Sequence, residues 1–169
     1  NITQTDHWFS NYPSPDFYHS CGDPYTDVPS NPAGYQDANT GSAYAGAFAW
    51  PENEYIQVEL VDYLIAGHVY EASFTANLID NAQYTVGNLG MYLSATDNTA
   101  ANANGELLVT PQISNATGSP ITTTSAWEQV SGTFIANGTE KFVTIGRFGL
   151  VADANLLQTY PGNLWVLSY

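Results

Sequence analysis

The sequence predicts an all-β fold: a β-sandwich jelly roll of about nine antiparallel strands with a long ordered N-terminal loop. Three observations predict it. Apolar and polar residues alternate with period two over several short runs, turn residues separate those runs, and no stretch carries convincing helical periodicity beyond a possible turn at 62–66. The clearest alternation lies between Glu54 and Leu78. Ile56, Val58 and Leu60 alternate there with Tyr55, Gln57 and Glu59, and Tyr70, Ala72, Phe74, Ala76 and Leu78 alternate with Glu71, Ser73, Thr75 and Asn77. Successive side chains leave a strand on opposite faces, so each segment has one face that must be covered and one that can stay wet.

In chain order, residues 1–41 are rich in Asn, Asp, Ser, Pro, Gly and Tyr, with Pro13, Pro15, Pro24, Pro29 and Pro32 closely spaced. Proline at that density excludes a helix, while Trp8, Phe9, Phe17, Tyr18, Tyr25 and Tyr35 are too many rings for a disordered linker. An ordered loop is expected after a short first strand at 2–9. Next comes a strand over 42–50, with Tyr44, Gly46, Phe48 and Trp50 on one face, small alanines on the other and Pro51 at its end. A strand at 87–94 sets Leu89, Met91 and Leu93 against Tyr92, and a short one at 107–113 contains Pro111, which suits an edge or a bulge. Two further strands, 127–136 and 140–148, flank Asn137-Gly138, a strong hairpin signal that predicts antiparallel neighbours. Residues 163–169 close the fold after Pro161-Gly162.

The 169 residues fit one domain, 1–169, with enough chain for a real core. A start at Asn1 without Met suggests either a domain excised from a larger extracellular protein or a processed product. Two Lys+Arg stand against 16 Asp+Glu, a formal charge of −14, which excludes nucleic acid and an anionic membrane surface as partners. No apolar run is long enough for membrane insertion. The single cysteine, Cys21, cannot form an intrachain disulfide; with no adjacent Lys or Arg it is expected to be buried and inert.

The polar sheet face is the first candidate site. Tyr55, Gln57, Asn77 and Tyr92, with Glu59 and Thr75, could stack on a sugar ring and bond its hydroxyls; the alternative is an ordinary solvated sheet face. Arg147, the one guanidinium, is either a ligand contact or the partner of Glu59 or Glu71. Among the rings Phe17, Tyr18, Tyr25, Tyr35 and Trp50, exposed ones at the rim would form a stacking platform and buried ones would anchor the loop; Phe17 and Tyr18 are expected to anchor it, the choice stays open for Tyr25 and Trp50, and Trp127 is read as packing. Asp16, Asp23 and Asp27, with Asp37, are candidate oxygen ligands for a structural Ca²⁺, although no EF-hand pattern is present. His7, His19 and His68 lack zinc spacing, and no nucleophile elbow, metalloprotease helix or phosphate loop occurs, so no enzyme is expected.

The order of a Gly-x-x-Tyr strand at 41–44, an Ala-Gly-x-x-Tyr start at 66–70, Trp127 with Val130, Gly132 and Phe134, and Glu140-x-Phe-x-Thr-Ile-Gly resembles jelly-roll carbohydrate-binding modules. More narrowly, Pro15-Asp16-Phe17-Tyr18, Val28-Pro29-Ser30-Asn31, Ala43-Tyr44-Ala45-Gly46 and Glu54-Tyr55-Ile56-Gln57 resemble a domain of Bacteroidetes surface and secreted proteins. The resemblance implies a non-catalytic module at the cell surface or outside it, binding a polysaccharide or glycan beside neighbouring domains of a larger chain. The alternative is a calcium-stabilised adhesion or scaffolding domain with a protein or peptide partner.

Overall fold

The computed structural model describes residues 1–11, 15–99, 105–115, 118–150, 156–158 and 167–168. It is an all-β antiparallel sandwich, as the sequence predicts. The first sheet runs, in spatial order, β1 (Trp8–Phe9), β6 (Tyr55–Glu59), β12 (Phe142–Arg147), β9 (Leu89–Ser94) and β10 (Ile113–Ser114). The second runs β11 (Glu128–Ile135), β7 (Val69–Leu78), β14 (Leu167–Ser168), β5 (Ala43–Ala47) and β2 (Asp16–His19). Two ribbons stand apart, β3 (Ser30–Asn31) with β4 (Gly34–Tyr35), and β8 (Tyr84–Val86) with β13 (Leu156–Gln158).

The period-two pattern decides which side chains meet between the sheets. Ile56, Met91, Leu93, Val143 and Ile145 of the first sheet pack against Ala45, Ala76, Leu78 and Val130 of the second. Each large aliphatic side chain buried there contributes about 1.5–3 kcal/mol relative to exposure. On β5 the alanines face the core and Tyr44 lies outside, as expected. Gly46 also lies on the outer side: a Cβ there would sit 2.7 Å from the Tyr18 ring, so glycine is what lets that ring lie flat on the sheet.

Several sequence expectations are corrected. Asn137-Gly138 joins strands of different sheets: β11 pairs with β7, whereas β12 pairs with β6 and β9. The turn is an arch held by the Glu140 carboxylate, which accepts the N–H groups of Asn137 (2.8 Å) and Gly138 (2.9 Å). The first strand is only Trp8–Phe9, because a 3₁₀ turn at Ile2–Gln4, capped by Asn1, takes up its start. The edge strand expected at 107–113 shifts to Ile113–Ser114, beyond Pro111. Cys21 is exposed in a turn, not buried. Of the closing strand, Leu167–Ser168 is a described strand and the rest lies outside the described residues.

Candidate functional site

The expected wet face of the first sheet has the right parity but is closed. Tyr55 is 3% exposed and Gln57 1%, because the segment around Asn98 and Leu107 lies across them. Gln57 and Asn98 exchange two bonds: the Asn98 N–H donates to Gln57 Oε1 (2.8 Å), and Gln57 Nε2 donates to the Asn98 carbonyl (2.9 Å). Asn98 Nδ2 also donates to Thr144 Oγ1 at 2.8 Å. Tyr55 donates its hydroxyl to the Arg147 carbonyl at 2.5 Å and accepts the Leu107 N–H at 3.2 Å. Burial pushes its phenol up to about 12, against the opposing Leu107 N–H, the Asn53 side chain and the Arg147 charge. Tyr92 is half-buried, edge-on to Phe148, which also packs on Tyr55.

Arg147 is 0% exposed. Its register opposite the buried Leu89 gives it the core-facing parity of Val143 and Ile145. Its Nε donates to Asn53 Oδ1 (2.9 Å) and its Nη2 to the Gly149 carbonyl (3.3 Å). Neither expected partner fits this position. Glu59 lies opposite Phe142 at the other end of β12 and pairs with Lys141 at 3.5 Å, while Glu71 stands on the outer face of the second sheet. Thus Tyr55 and Tyr92 come together around Phe148 beneath the covering segment, whereas the Arg147 side chain lies on the core-facing side of β12, and the three form no shared sugar-binding face.

Of the remaining candidates, Trp50 is half-buried against Tyr84 at 5.4 Å, and Tyr25 stands 74% exposed in an isolated turn. The three candidate calcium ligands do not form one donor set. Asp23 Oδ1 accepts from the Tyr25 N–H and from the N–H and hydroxyl of Thr26, which hold its carboxyl below the usual range. Asp27 Oδ1 accepts from the Val28 N–H, and desolvation raises the Asp16 carboxyl at the start of β2. No group of three or more His, Cys, Asp or Glu side chains converges on a metal position among the described residues.

Asn77, 1% exposed, lies beneath an open site on the outer face of the second sheet, which Tyr35 and Asp37 border directly. There Tyr18 stacks on Tyr44 (5.1 Å between centroids), and Trp127 meets Tyr44 edge-on at 5.7 Å. Burial pushes the Tyr18 phenol up to about 12, with the charge of Asp16 and the neighbouring Tyr44 and Glu54 adding to it. The chain from β4 to Asn39 crosses this face. Trp127 Nε1 donates to the Asp37 carbonyl (2.9 Å), Asn39 Nδ2 to Thr75 Oγ1 (3.2 Å), and Asn77 Nδ2 to Gln36 Oε1. Asp80 Oδ2 accepts the Tyr35 N–H at 2.9 Å; Gly34, at φ +140°, leaves no room for a Cβ beside that carboxylate.

The result is a cleft of about 530 Å³ whose walls include Tyr35, Asp37, Asn39, Asp80, Thr124 and Trp127. Tyr35 is 60% exposed. Beneath it a void of about 10 Å³, one water in size, reaches Tyr18, Tyr44 and Asn77. The chain's only two Lys and Arg residues are both committed to the first sheet, so Asp37 and Asp80 leave the cleft negative. Tyr35 was legible among the loop rings weighed for stacking, Asp37 as a candidate oxygen ligand and Trp127 as packing, whereas Gln36, Asn39, Thr124 and Ser125 were missed. The signal for Trp127 was its parity with Gln129 and Ser131 on the outer face of β11.

No protein-family model, curated protein or solved structure matches this chain.

Proposed function

We propose that this domain is a non-catalytic glycan-binding module whose ligand lies in the cleft outside the second sheet. The observation that carries the reading is that an exposed Tyr35 and Trp127 line one cleft together with carboxylate, amide and hydroxyl groups. Aromatic faces take the C–H face of a pyranose, and Asp80, Asn39 and Thr124 offer donors and acceptors for hydroxyls. Hydrogen bonds to sugar exchange with those to water at small net gain, so affinity per site is low and neighbouring modules supply avidity. The negative cleft favours neutral glycans over uronate or sulfate polymers.

In this reading the domain works outside the cell, at a bacterial surface or in a secreted chain. No described helix is long and apolar enough to cross a membrane. The test is a glycan array probed with the native domain, Trp127→Ala and Tyr35→Ala, each with and without EDTA. Binding of neutral glycans that both variants lose supports the reading, and EDTA sensitivity would add calcium to it. A folded native domain silent on every glycan contradicts it.

A further inference from the structure

The water-sized void beneath the cleft has a lining of its own. Tyr35, Gln36, Asp80 and Thr124 border both spaces, so the void, of about 10 Å³, opens from the cleft floor. Tyr18, Tyr44 and Asn77 add to its walls. A small group that enters from the cleft therefore meets the rings of Tyr18, Tyr35 and Tyr44 and the Asp80 carboxylate.

The hydrogen-bonding capacity around the void is only partly used. Asp80 Oδ2 accepts the Tyr35 N–H, one of about four bonds that a carboxylate can accept. The Tyr44 hydroxyl accepts Asn31 Nδ2 at 3.0 Å and keeps a second lone pair. Tyr18 is 8% exposed, yet among the described residues its hydroxyl has no hydrogen-bond partner. Buried polar groups are rarely left so, and the occupant of the void is what can satisfy this one.

The sign of the local charge selects among occupants of that size. Asp80 borders both spaces, Asp37 borders the cleft, and the carboxylates of Asp16 and Glu54 act electrostatically on the Tyr18 phenol. The chain's Lys and Arg are both held on the first sheet. Water gains nothing from this field. An ammonium group is as small, carries a full positive charge, offers several N–H donors and is attracted to tyrosine faces. Calcium takes about six to eight oxygens, whereas among the described residues no group of acidic or imidazole side chains converges on a metal position.

We propose that this void is a subsite for a protonated primary amine, and that the ligands preferred by the cleft are glycans with a free amino group on a sugar ring. The inference rests on the glycan reading above and narrows it. Tyr35 and Trp127 take the pyranose, and its ammonium enters the void beside Asp80 and donates to the Tyr18 and Tyr44 hydroxyls. An acetamido group is uncharged and too large for a space of one water. A lysine ammonium would arrive on a thin aliphatic stem and leave the cleft rings without a sugar face to stack on.

The experiment titrates the native domain with methyl glycosides of glucose and galactose, each in 2-hydroxy, 2-amino and 2-acetamido forms. The pH is about 6, below the range in which α-amino groups lose their proton. The Trp127 indole and the backbone amide resonances are the readout. In at least one series the amino form should bind at least about tenfold tighter than the hydroxy form, shifting the amides of Gly34, Gly46 and Asp80, with the acetamido form no tighter than the hydroxy form. Asp80→Asn keeps an acceptor for the Tyr35 N–H and should bring the amino-to-hydroxy ratio to within about threefold of one; if that variant does not fold, the shift map of the native domain decides. A native ratio near one in both series, with the hydroxy forms still shifting Trp127, overturns this inference and leaves the glycan reading standing. No shift with any form, beside a silent glycan array, removes both. A preference that persists in Asp80→Asn reports attraction to the formal charge of −14 alone, and equal binding of N-acetyl-lysine amide marks a site for protein side chains; either result overturns the inference.

Discussion

Gln57 and Asn98 hold each other by two hydrogen bonds, so that one side-chain amide serves as a ladder partner for a loop backbone. Gln112 does the same for Leu93, accepting its N–H at 2.8 Å and donating to its carbonyl at 2.9 Å. The Gln112 clamp extends the ladder at the free edge of β9, whereas the Gln57–Asn98 clamp turns a polar sheet face into a second interior. The Gln57–Asn98 geometry is the reason the sugar-binding surface expected on Tyr55 and Gln57 is closed.

Gln57→Ala should therefore destabilise the domain by about 3 kcal/mol, because it strands the Asn98 N–H and carbonyl and removes an acceptor from Thr144 in a buried site. Urea unfolding measures the loss. Glycan binding at the distant cleft should be unchanged in the same variant under native conditions.

The fold was legible in the sequence wherever one face alternated with the other. Ile56, Leu89, Met91, Leu93, Ala76 and Leu78 all point inward as their spacing predicts. What period two cannot report is the layer beyond the outer face. Gln57 and Thr75 read alike as polar outward residues, yet Asn98 covers the first, leaving it 1% exposed, while Asn39 bonds the second, which stays half-buried. Nor does a turn signal say which strands it joins: Asn137-Gly138 is hairpin chemistry used in an arch, because Glu140 binds the turn amides and β7 captures β11. Arg147 lay beyond reach for a similar reason, since an arginine at an inward register is placed by buried partners distant in sequence.

Glu140 makes the arch acid-sensitive. Desolvation works against its charge, but the N–H groups of Asn137, Gly138 and Thr139 and its own outweigh that and hold the carboxyl below its ordinary 4.5. A group with a depressed folded pKa stabilises above the unfolded value, and that contribution is lost as pH falls through the folded one. Glu140→Gln should lower stability at neutral pH and flatten the decline below pH 4.5, as followed by thermal unfolding across an acid series.

At the alkaline end Tyr18 and Tyr55 have the opposite effect. Both phenols stand at about 12 in the fold against 10.0 unfolded, so from pH 10 upward the unfolded chain releases protons that the fold retains. The tyrosines' contribution should be flat below that pH, and stability should fall between 10 and about 12. Phenolate absorbance should show a late fraction that appears together with the loss of the β-sheet circular dichroism signal. Tyr18→Phe should reduce that fraction.

Charge in the cleft should set ligand class. With Asp37→Asn and Asp80→Asn combined, the Tyr35 N–H keeps an acceptor, and discrimination against polyuronates should relax while neutral glycans bind as before. Titration calorimetry of both ligand types at low and moderate salt would show it, with the native difference shrinking as salt screens the carboxylates.

The most direct measurement of the central claim is the Trp127 indole N–H resonance during titration with a neutral oligosaccharide identified by the array. This N–H bonds to the Asp37 carbonyl at the wall of the cleft. The account predicts a saturable shift of that signal, together with the amides of Tyr35 and Asn39, while Tyr55, Gln57 and Tyr92 stay unmoved. Saturable binding that shifts the Tyr55 and Tyr92 region and leaves Trp127 unchanged would contradict it.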